Sequence, residues 1–345
     1  MIRYMTGGES HGKGLVAIIE GIPAGLTFSI ETVNEDLKRR QGGYGRGGRM
    51  AIESDMAVII SGLRKNLTIG TPISVFIKNK DHKIDELPDI KTPRPGHADL
   101  AGMQKYGFSD ARSVLERASA RETAAKVAVG AICKIFLKNL GITIESKVLS
   151  VGGETNSIEK KIDAAIESGN TLGGVFKVIA KGVMPGLGSY VQWDSRLDGR
   201  LAKAVVSIPA VKAFEIGEGI KAASLTGSDV HDAIEYKNSV FKRVTNNAGG
   251  IEGGMSNGEE IIIKGFMKPI ATLMNPLDTV NTDTKKKDKA ATERSDVTAV
   301  EACSVVAEAV CAIEIANACQ EKFGCDSIED IKANVEVYKT RLKKM

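Results

Sequence analysis

The sequence predicts an α/β fold, and three observations carry that reading. Short β-branched runs bounded by glycine recur along the chain. Two long stretches rich in Ala, Val and charged helix formers stand between and after them. Glycine-rich loops hold clustered arginines and two of the four histidines.

Residues 15–20 and 57–62 read as short buried strands. Residues 73–78 alternate, with Ile73, Val75 and Ile77 on one side. Residues 30–40 read as a helix that runs straight into an arginine–glycine loop. Residues 78–95 are polar and contain proline, a long mobile loop that ends near His97. Residues 109–140 form the strongest helical segment: Ser109 or Asp110 can cap it, Glu122 and Lys126 can pair on its wet side, and Gly141 stops it. In the second half, residues 175–180, 204–208 and 260–266 read as strands, with glycine-rich loops at 182–188 and 246–258. Residues 279–293 are polar and lysine-rich, a solvated lid, and a helix from 298 to 323 follows. The apolar stretch at its start carries Glu301, Glu308 and Glu314, which marks a core helix rather than a membrane span. No repeat and no composition break marks a linker, so residues 1–345 are expected to form a single domain.

Net charge is 47 − 43 = +4 and aromatic content 5%, too little of either for a nucleic-acid face built on basic and stacking side chains. Five cysteines, an odd number without metal-ligand spacing, predict buried reduced thiols and a cytoplasmic protein. Glu9 and His11 precede any long apolar run, so no signal peptide is expected.

The chemistry is concentrated in loops. His11 lies in Gly8-Glu9-Ser10-His11-Gly12-Lys13-Gly14, and His97 in Arg94-Pro95-Gly96-His97-Ala98-Asp99. Between them runs Arg39-Arg40-Gln41-Gly42-Gly43-Tyr44-Gly45-Arg46-Gly47-Gly48-Arg49. Histidine exchanges protons near neutrality, and the arginine fork matches carboxylate and phosphate. The combination points to proton transfer on a small, multiply anionic substrate. Arg117 and Arg121 would share one face of a regular helix; an interrupted helix would offer amides to phosphate. Arg294-Ser295-Asp296 either caps the last helix or pairs a guanidinium with a carboxylate at the site. His82 and His231 have no such setting and read as surface residues. A nucleotide site fits poorly: Gly43-x-Gly45-x-x-Gly48 follows a helix instead of a strand, and Gly14 replaces the hydroxyl a phosphate loop needs for Mg²⁺.

These segments, with Glu116-Arg117-Ala118-Ser119-Ala120-Arg121-Glu122-Thr123, Ser207-Ile208-Pro209-Ala210-Val211-Lys212, Asn247-Ala248-Gly249-Gly250-Ile251-Glu252-Gly253-Gly254 and Lys268-Pro269, make the chain resemble the chorismate synthase family over residues 1 to about 320. The resemblance implies an α+β fold: a β-α-β sandwich with helices between antiparallel-rich sheets, assembled as a homotetramer. It implies conversion of 5-enolpyruvylshikimate-3-phosphate to chorismate and phosphate by a 1,4-anti elimination, the last step of the shikimate pathway. Reduced FMN is required there with no net redox change. The absence of a nicotinamide-binding domain favours an external flavin reductase over reduction by NADPH on this protein. Carried over by position, Arg40, Arg46, Arg49, Arg94, Arg121 and Arg294 resemble the substrate clamp. Arg117, Ala118, Ser119, Gly253, Lys268, Thr272 and Arg294 resemble the flavin contacts. His11 resembles the acid that protonates reduced flavin, His97 the acid that assists the departing phosphate, and Asp296 a carboxylate that assists the flavin. No metal and no membrane contact is implied. Ala213 and Glu301 depart from the commoner family text, where glycine and proline are frequent.

Overall fold

Alternation decides which face of the first sheet is buried. In the computed structural model, described for residues 1–47, 54–237, 240–293 and 296–345, strands β1 (Arg3–Gly7), β2 (Gly14–Glu20), β3 (Ala57–Ser61) and β4 (Ile73–Lys78) form an antiparallel sheet of order β1-β2-β4-β3. Leu15, Ala17 and Ile19 of β2 and Ile73, Val75 and Ile77 of β4 point into the core. A second antiparallel sheet, of order β5-β6-β8-β7, comprises β5 (Thr143–Val151), β6 (Gly174–Lys181), β7 (Val211–Ile216) and β8 (Ile261–Met267).

Two long helices fill the space between the sheets. In chain order the main helices are α1 (Ile30–Gln41), α2 (Asp99–Tyr106), α3 (Arg112–Ala118), α4 (Thr123–Asn139), α5 (Ile158–Glu167), α6 (Leu197–Val206), α7 (Val300–Phe323) and α8 (Ile328–Leu342), the two long ones being α4 and α7. Helix α4 packs on β2 and β4, α7 packs on β5 and β6, and the two helices pack on one another. Their contact is backbone-close: a Cβ on Gly130 would lie 2.3 Å from the Ala309 Cβ. Only glycine fits there. The fold is an α+β sandwich of sheet, helices and sheet. One hydrophobic cluster runs from Ile2 to Val335 through both sheets and the helices between them.

Helix α7 alone among the described residues is long and apolar enough to cross a membrane, and 94% of that window is buried inside the protein. It is buried on nearly all sides because it is the central layer. Its one fully buried glutamate is accommodated by pairing: Glu308 accepts from Arg39 Nη2 at 2.8 Å and from Lys134. Arg39 is therefore committed to the helix layer, unlike its neighbour Arg40. Cys133, Cys303, Cys311 and Cys319 are buried free thiols, and Cys325 is exposed.

Three sequence expectations change. Residues 204–208 are not a strand. They belong largely to the end of α6, which buries Leu197, Leu201 and Val205 at helical spacing, a period the β-branched run concealed. The segment 109–140 is not one helix. Helix α3 ends at Ala118, Ser119 is extended, and a 3₁₀ turn at Ala120–Glu122 leads into α4. The lysine-rich segment 279–293 is partly ordered as a hairpin of Asp278–Val280 with Lys287–Lys289. Its cation load is offset by Asp278, which pairs with both Lys287 and Lys289 at 2.7 Å.

Candidate active site

The break after α3 decides where two arginines go. On a continuous helix Arg117 and Arg121 would face the same way. Ser119 instead adopts an extended backbone, and its Oγ accepts from the Arg121 amide at 3.3 Å. That amide is therefore engaged by Ser119. Arg117 is left exposed, donating to the Gly8 carbonyl at 2.9 Å and the Thr6 carbonyl at 3.1 Å. Arg121 turns inward. Its Nη1 lies 2.7 Å from Asp55 Oδ1, and its Nε donates to Asn79 Oδ1 at 2.9 Å.

Asn79 carries this contact to the His11 loop. Its amide nitrogen donates to the carbonyls of Glu9, Ser10 and Gly12 at 3.1, 3.2 and 2.8 Å. The loop is thus gripped from below, and Ser10 Oγ lies 3.2 Å from Ser119 Oγ. His11 is buried, and Glu116 of α3 holds it twice. The His11 backbone N–H donates to Oε2 at 2.7 Å, and ring Nδ1 lies 2.9 Å from Oε1. On the opposite edge, Nε2 lies 4.0 Å from Asp81. Burial of Glu116 opposes its charge, but the two bonds from His11 and the nearby Arg112 outweigh it and hold its carboxyl below the ordinary value.

Arg40 joins the same cluster from the end of α1. Its Nε donates to Thr123 Oγ1 at 2.9 Å, its Nη2 to the Ala120 carbonyl at 2.7 Å, and its Nη1 lies 3.6 Å from Asp55. Burial, with Arg121 and Arg46 close by, pulls its pKa down to about 10 against the attraction of Asp55 and Asp296. Arg46 lies 3.0 Å from Asp296 through Nε, and Asp296 also accepts from the Gly47 amide at 2.6 Å. Three guanidiniums thus face two carboxylates, Asp55 and Asp296. Among the described residues, Arg40 Nη1 and Arg121 Nη2 are buried without a hydrogen-bond partner. An orphaned, buried cationic donor is costly until an anion meets it.

A second cluster forms around His97. Asp99, fully buried at the start of α2, accepts from the Arg94 amide at 3.0 Å and Arg94 Nε at 2.8 Å. It also accepts from His97 Nδ1. Burial opposes the charge of Asp99, but these bonds prevail and hold the carboxyl far below its usual range. Arg94 Nη1 donates to Thr272 Oγ1 at 2.7 Å. Lys268 donates to the Gly96 carbonyl at 3.0 Å. Among the described residues it has no carboxylate partner, and burial together with Lys212 lowers its pKa.

The structure therefore gathers His11, Ser119, Arg40, Arg46, Arg121 and Asp296 into one network of hydrogen bonds and ion pairs, and His97, Arg94, Lys268 and Thr272 into another. Ala118 is half-buried at the end of α3. Gly253 is exposed at the tip of the hairpin Ile251–Glu252 with Met255–Ser256, and no described hydrogen bond links it to either cluster. Arg49 and Arg294 lie outside the described residues. His82 and His231 are exposed, as their sequence context predicts. Sequence reasoning missed Asp55, Asn79 and Glu116. Glu116 stands inside a quoted motif, but its pairing with a histidine 105 positions earlier had no local signal. An open cleft of about 370 Å³ lies elsewhere, lined by Arg39, Gly42, Ser146 and Glu301 among others. It has no histidine, and its guanidinium is already paired with Glu308 and Asp36.

Residues 2–320 match the family model described as chorismate synthase. The chain belongs to the chorismate synthase family. A chorismate synthase of Thermoanaerobacter pseudethanolicus is 54% identical over 348 residues, covering 99% of each chain. That of Caldanaerobacter subterraneus is 54% identical over 343 residues, covering 98% of each. A solved structure titled as a crystal structure of chorismate synthase superposes with a TM-score of 0.83 at 41% identity, covering 100% of this chain and 99% of that one. The protein is an enzyme of the lyase class, and its role is the chorismate-forming step of the shikimate pathway.

Proposed function

We propose that this enzyme converts 5-enolpyruvylshikimate-3-phosphate to chorismate and inorganic phosphate by a 1,4-anti elimination that requires reduced FMN without consuming it. One observation carries the reading: among the described residues, buried guanidiniums in excess of their carboxylates, with orphaned nitrogens, beside two imidazoles each held by a carboxylate. A substrate with two carboxylates and a phosphate supplies the charge that Arg40, Arg46 and Arg121 together lack beside Asp55 and Asp296, and Arg94, Arg49 and Arg294 are assigned to the same clamp. His97 gives a proton to the leaving phosphate, and Arg94 holds the same group. His11 is the acid on the flavin side, and Asp296 is assigned to assist there.

The residues present fit the flavin. Lys268 is a half-buried ammonium without a carboxylate, suited to a phosphate group, and Ser119 and Thr272 place hydroxyls in the two clusters. With Arg117, Ala118, Gly253 and Arg294 these complete the proposed contacts. When bound, reduced FMN supplies electron density to a substrate whose departing hydrogen is not acidic. The protein's own residues bind, orient and move protons.

We read the chain as one catalytic domain working in the cytoplasm and self-associating as a homotetramer. Sheet β1-β2-β4-β3 supports self-association: Val16, Ile18 and Val58 are exposed on its outer face, an apolar surface of the kind that a second copy covers. We assign flavin reduction to an external reductase. The deciding experiment is an anaerobic assay with reduced FMN and the enolpyruvyl substrate. Phosphate release is expected to require reduced flavin and to be indifferent to ATP. Turnover driven by ATP without flavin would reverse the reading. Activity of the purified protein with NADPH and oxidised FMN alone would remove the external reductase.

A further inference from the structure

Each candidate histidine presents one ring nitrogen to a buried carboxylate. Glu116 and Asp99 are both buried, and both are held ionised below their ordinary range by the bonds they accept. An ionised carboxylate only accepts hydrogen bonds. The nitrogen facing it must therefore carry hydrogen whether the ring is neutral or cationic. At His11 that nitrogen is Nδ1, 2.9 Å from Glu116 Oε1. At His97 it is again Nδ1, facing Asp99 Oδ1. Arg94 Nη2, 3.0 Å from the same Nδ1, is a donor too and converges on the same Asp99 oxygen.

We infer that Glu116 and Asp99 are positioning residues that fix Nδ1–H on His11 and His97, so that Nε2 is the one atom through which each imidazole exchanges its catalytic proton. The two carboxylates come from different elements, α3 and the start of α2, and reach histidines in different loops. The same solution is thus built twice. Arg112 supports the first pair: its Nη1 lies 3.8 Å from Glu116 Oε1, and its Nη2 donates to Glu293 at 2.9 Å. It ties the orienting carboxylate to the segment that leads to Arg294 and Asp296.

The geometry predicts what an amide does in place of Glu116. Oε2 accepts from the His11 backbone N–H at 2.7 Å while Oε1 faces Nδ1. A backbone N–H is always a donor, so the single oxygen of glutamine is drawn to it. The amide NH₂ then faces Nδ1, which must become an acceptor, and the neutral ring carries its hydrogen on Nε2. A histidine in the wrong tautomer loses its function although it stays in place. Asp99 is less separable, because Asp99→Asn also loosens Arg94.

The inference rests on the proton-handling roles proposed for His11 and His97, and its test separates the two. NMR of protein labelled at the histidine nitrogens, assigned with His11→Ala and His97→Ala, reads the tautomers without any turnover. The neutral rings of His11 and His97 are expected to carry hydrogen on Nδ1, and E116Q to move it to Nε2 at His11 alone. Hydrogen on Nε2 in the unsubstituted protein overturns the inference whatever the variants do. In the flavin-dependent assay, E116Q is expected to lower kcat by roughly 10²–10⁴-fold, the usual worth of a general acid, with KM little changed. E116Q added to His11→Ala is expected to cost nothing further, because Glu116 acts through the ring. An additive loss in the double variant, or a change confined to KM, rejects the positioning role.

Discussion

Arg121 serves two masters, and a pair of substitutions separates them. Its guanidinium neutralises Asp55, whose side chain is fully buried, at 2.7 Å, and its buried Nη2 has no hydrogen-bond partner among the described residues. In R121A, Arg40 at 3.6 Å is the one cation left to Asp55 among the described residues. Removing one partner of a buried pair strands the other charge and costs about 3–5 kcal/mol. The Asn79 carbonyl loses its donor as well, which loosens the grip on the His11 loop. Adding D55N removes the stranded charge, so most of the lost stability is expected to return. The contact with an anionic substrate does not return. A charge-assisted hydrogen bond is worth about 1.5–3 kcal/mol, which corresponds to a KM raised roughly 10- to 150-fold in both the single and the double variant. Urea unfolding reads the first effect and steady-state kinetics the second. A double variant as unstable as R121A, or one with restored KM, would falsify the division of labour.

Four further outcomes follow from the same geometry. Arg46→Ala is expected to raise the substrate KM strongly by removing a largely buried guanidinium held at 3.0 Å from Asp296; an unchanged KM places the clamp elsewhere. Gly130→Val is expected to lower the thermal midpoint through overpacking of about 1–3 kcal/mol or more, since Ala309 fills the space a Cβ needs; an unshifted midpoint contradicts the packing. Because the folded-state pKa values of Glu116 and Asp99 are depressed, their stabilisation is full above the unfolded carboxylate value of roughly 4 and is lost as pH falls toward the folded value. E116Q should therefore show a shallower loss of thermal midpoint between neutral and acid pH than the unsubstituted chain, and parallel curves would refute this. Burial pushes the Cys303 and Cys319 thiols up to about 12 and raises those of Cys133 and Cys311 as well. A thiol reagent is expected to modify Cys325 alone in the native protein, and rapid loss of the other thiols would contradict their burial.

Local chemistry was legible in the sequence. Glycine-bounded β-branched runs announced β2, β3, β4, β6 and β8 because side-chain alternation and glycine punctuation are properties of the chain itself. The alanine-rich stretches announced α4 and α7 for the same reason, and the glycine–arginine–histidine loops marked the residues now proposed for an anionic site. The ordered motifs carried the family. Tertiary structure alone decided the rest. Ser119 interrupts what reads as one helix and sends Arg117 outward and Arg121 inward, although propensity favours continuation through both. Arg39 and Arg40 are adjacent in the chain, yet one binds Glu308 in the helix layer and the other faces Asp55. Glu116, Asp55 and Asn79 acquire their roles from partners far along the chain. A hydrogen bond between distant residues leaves no period or local spacing in the sequence, because it exists only once the packed sheets and helices bring its two ends together.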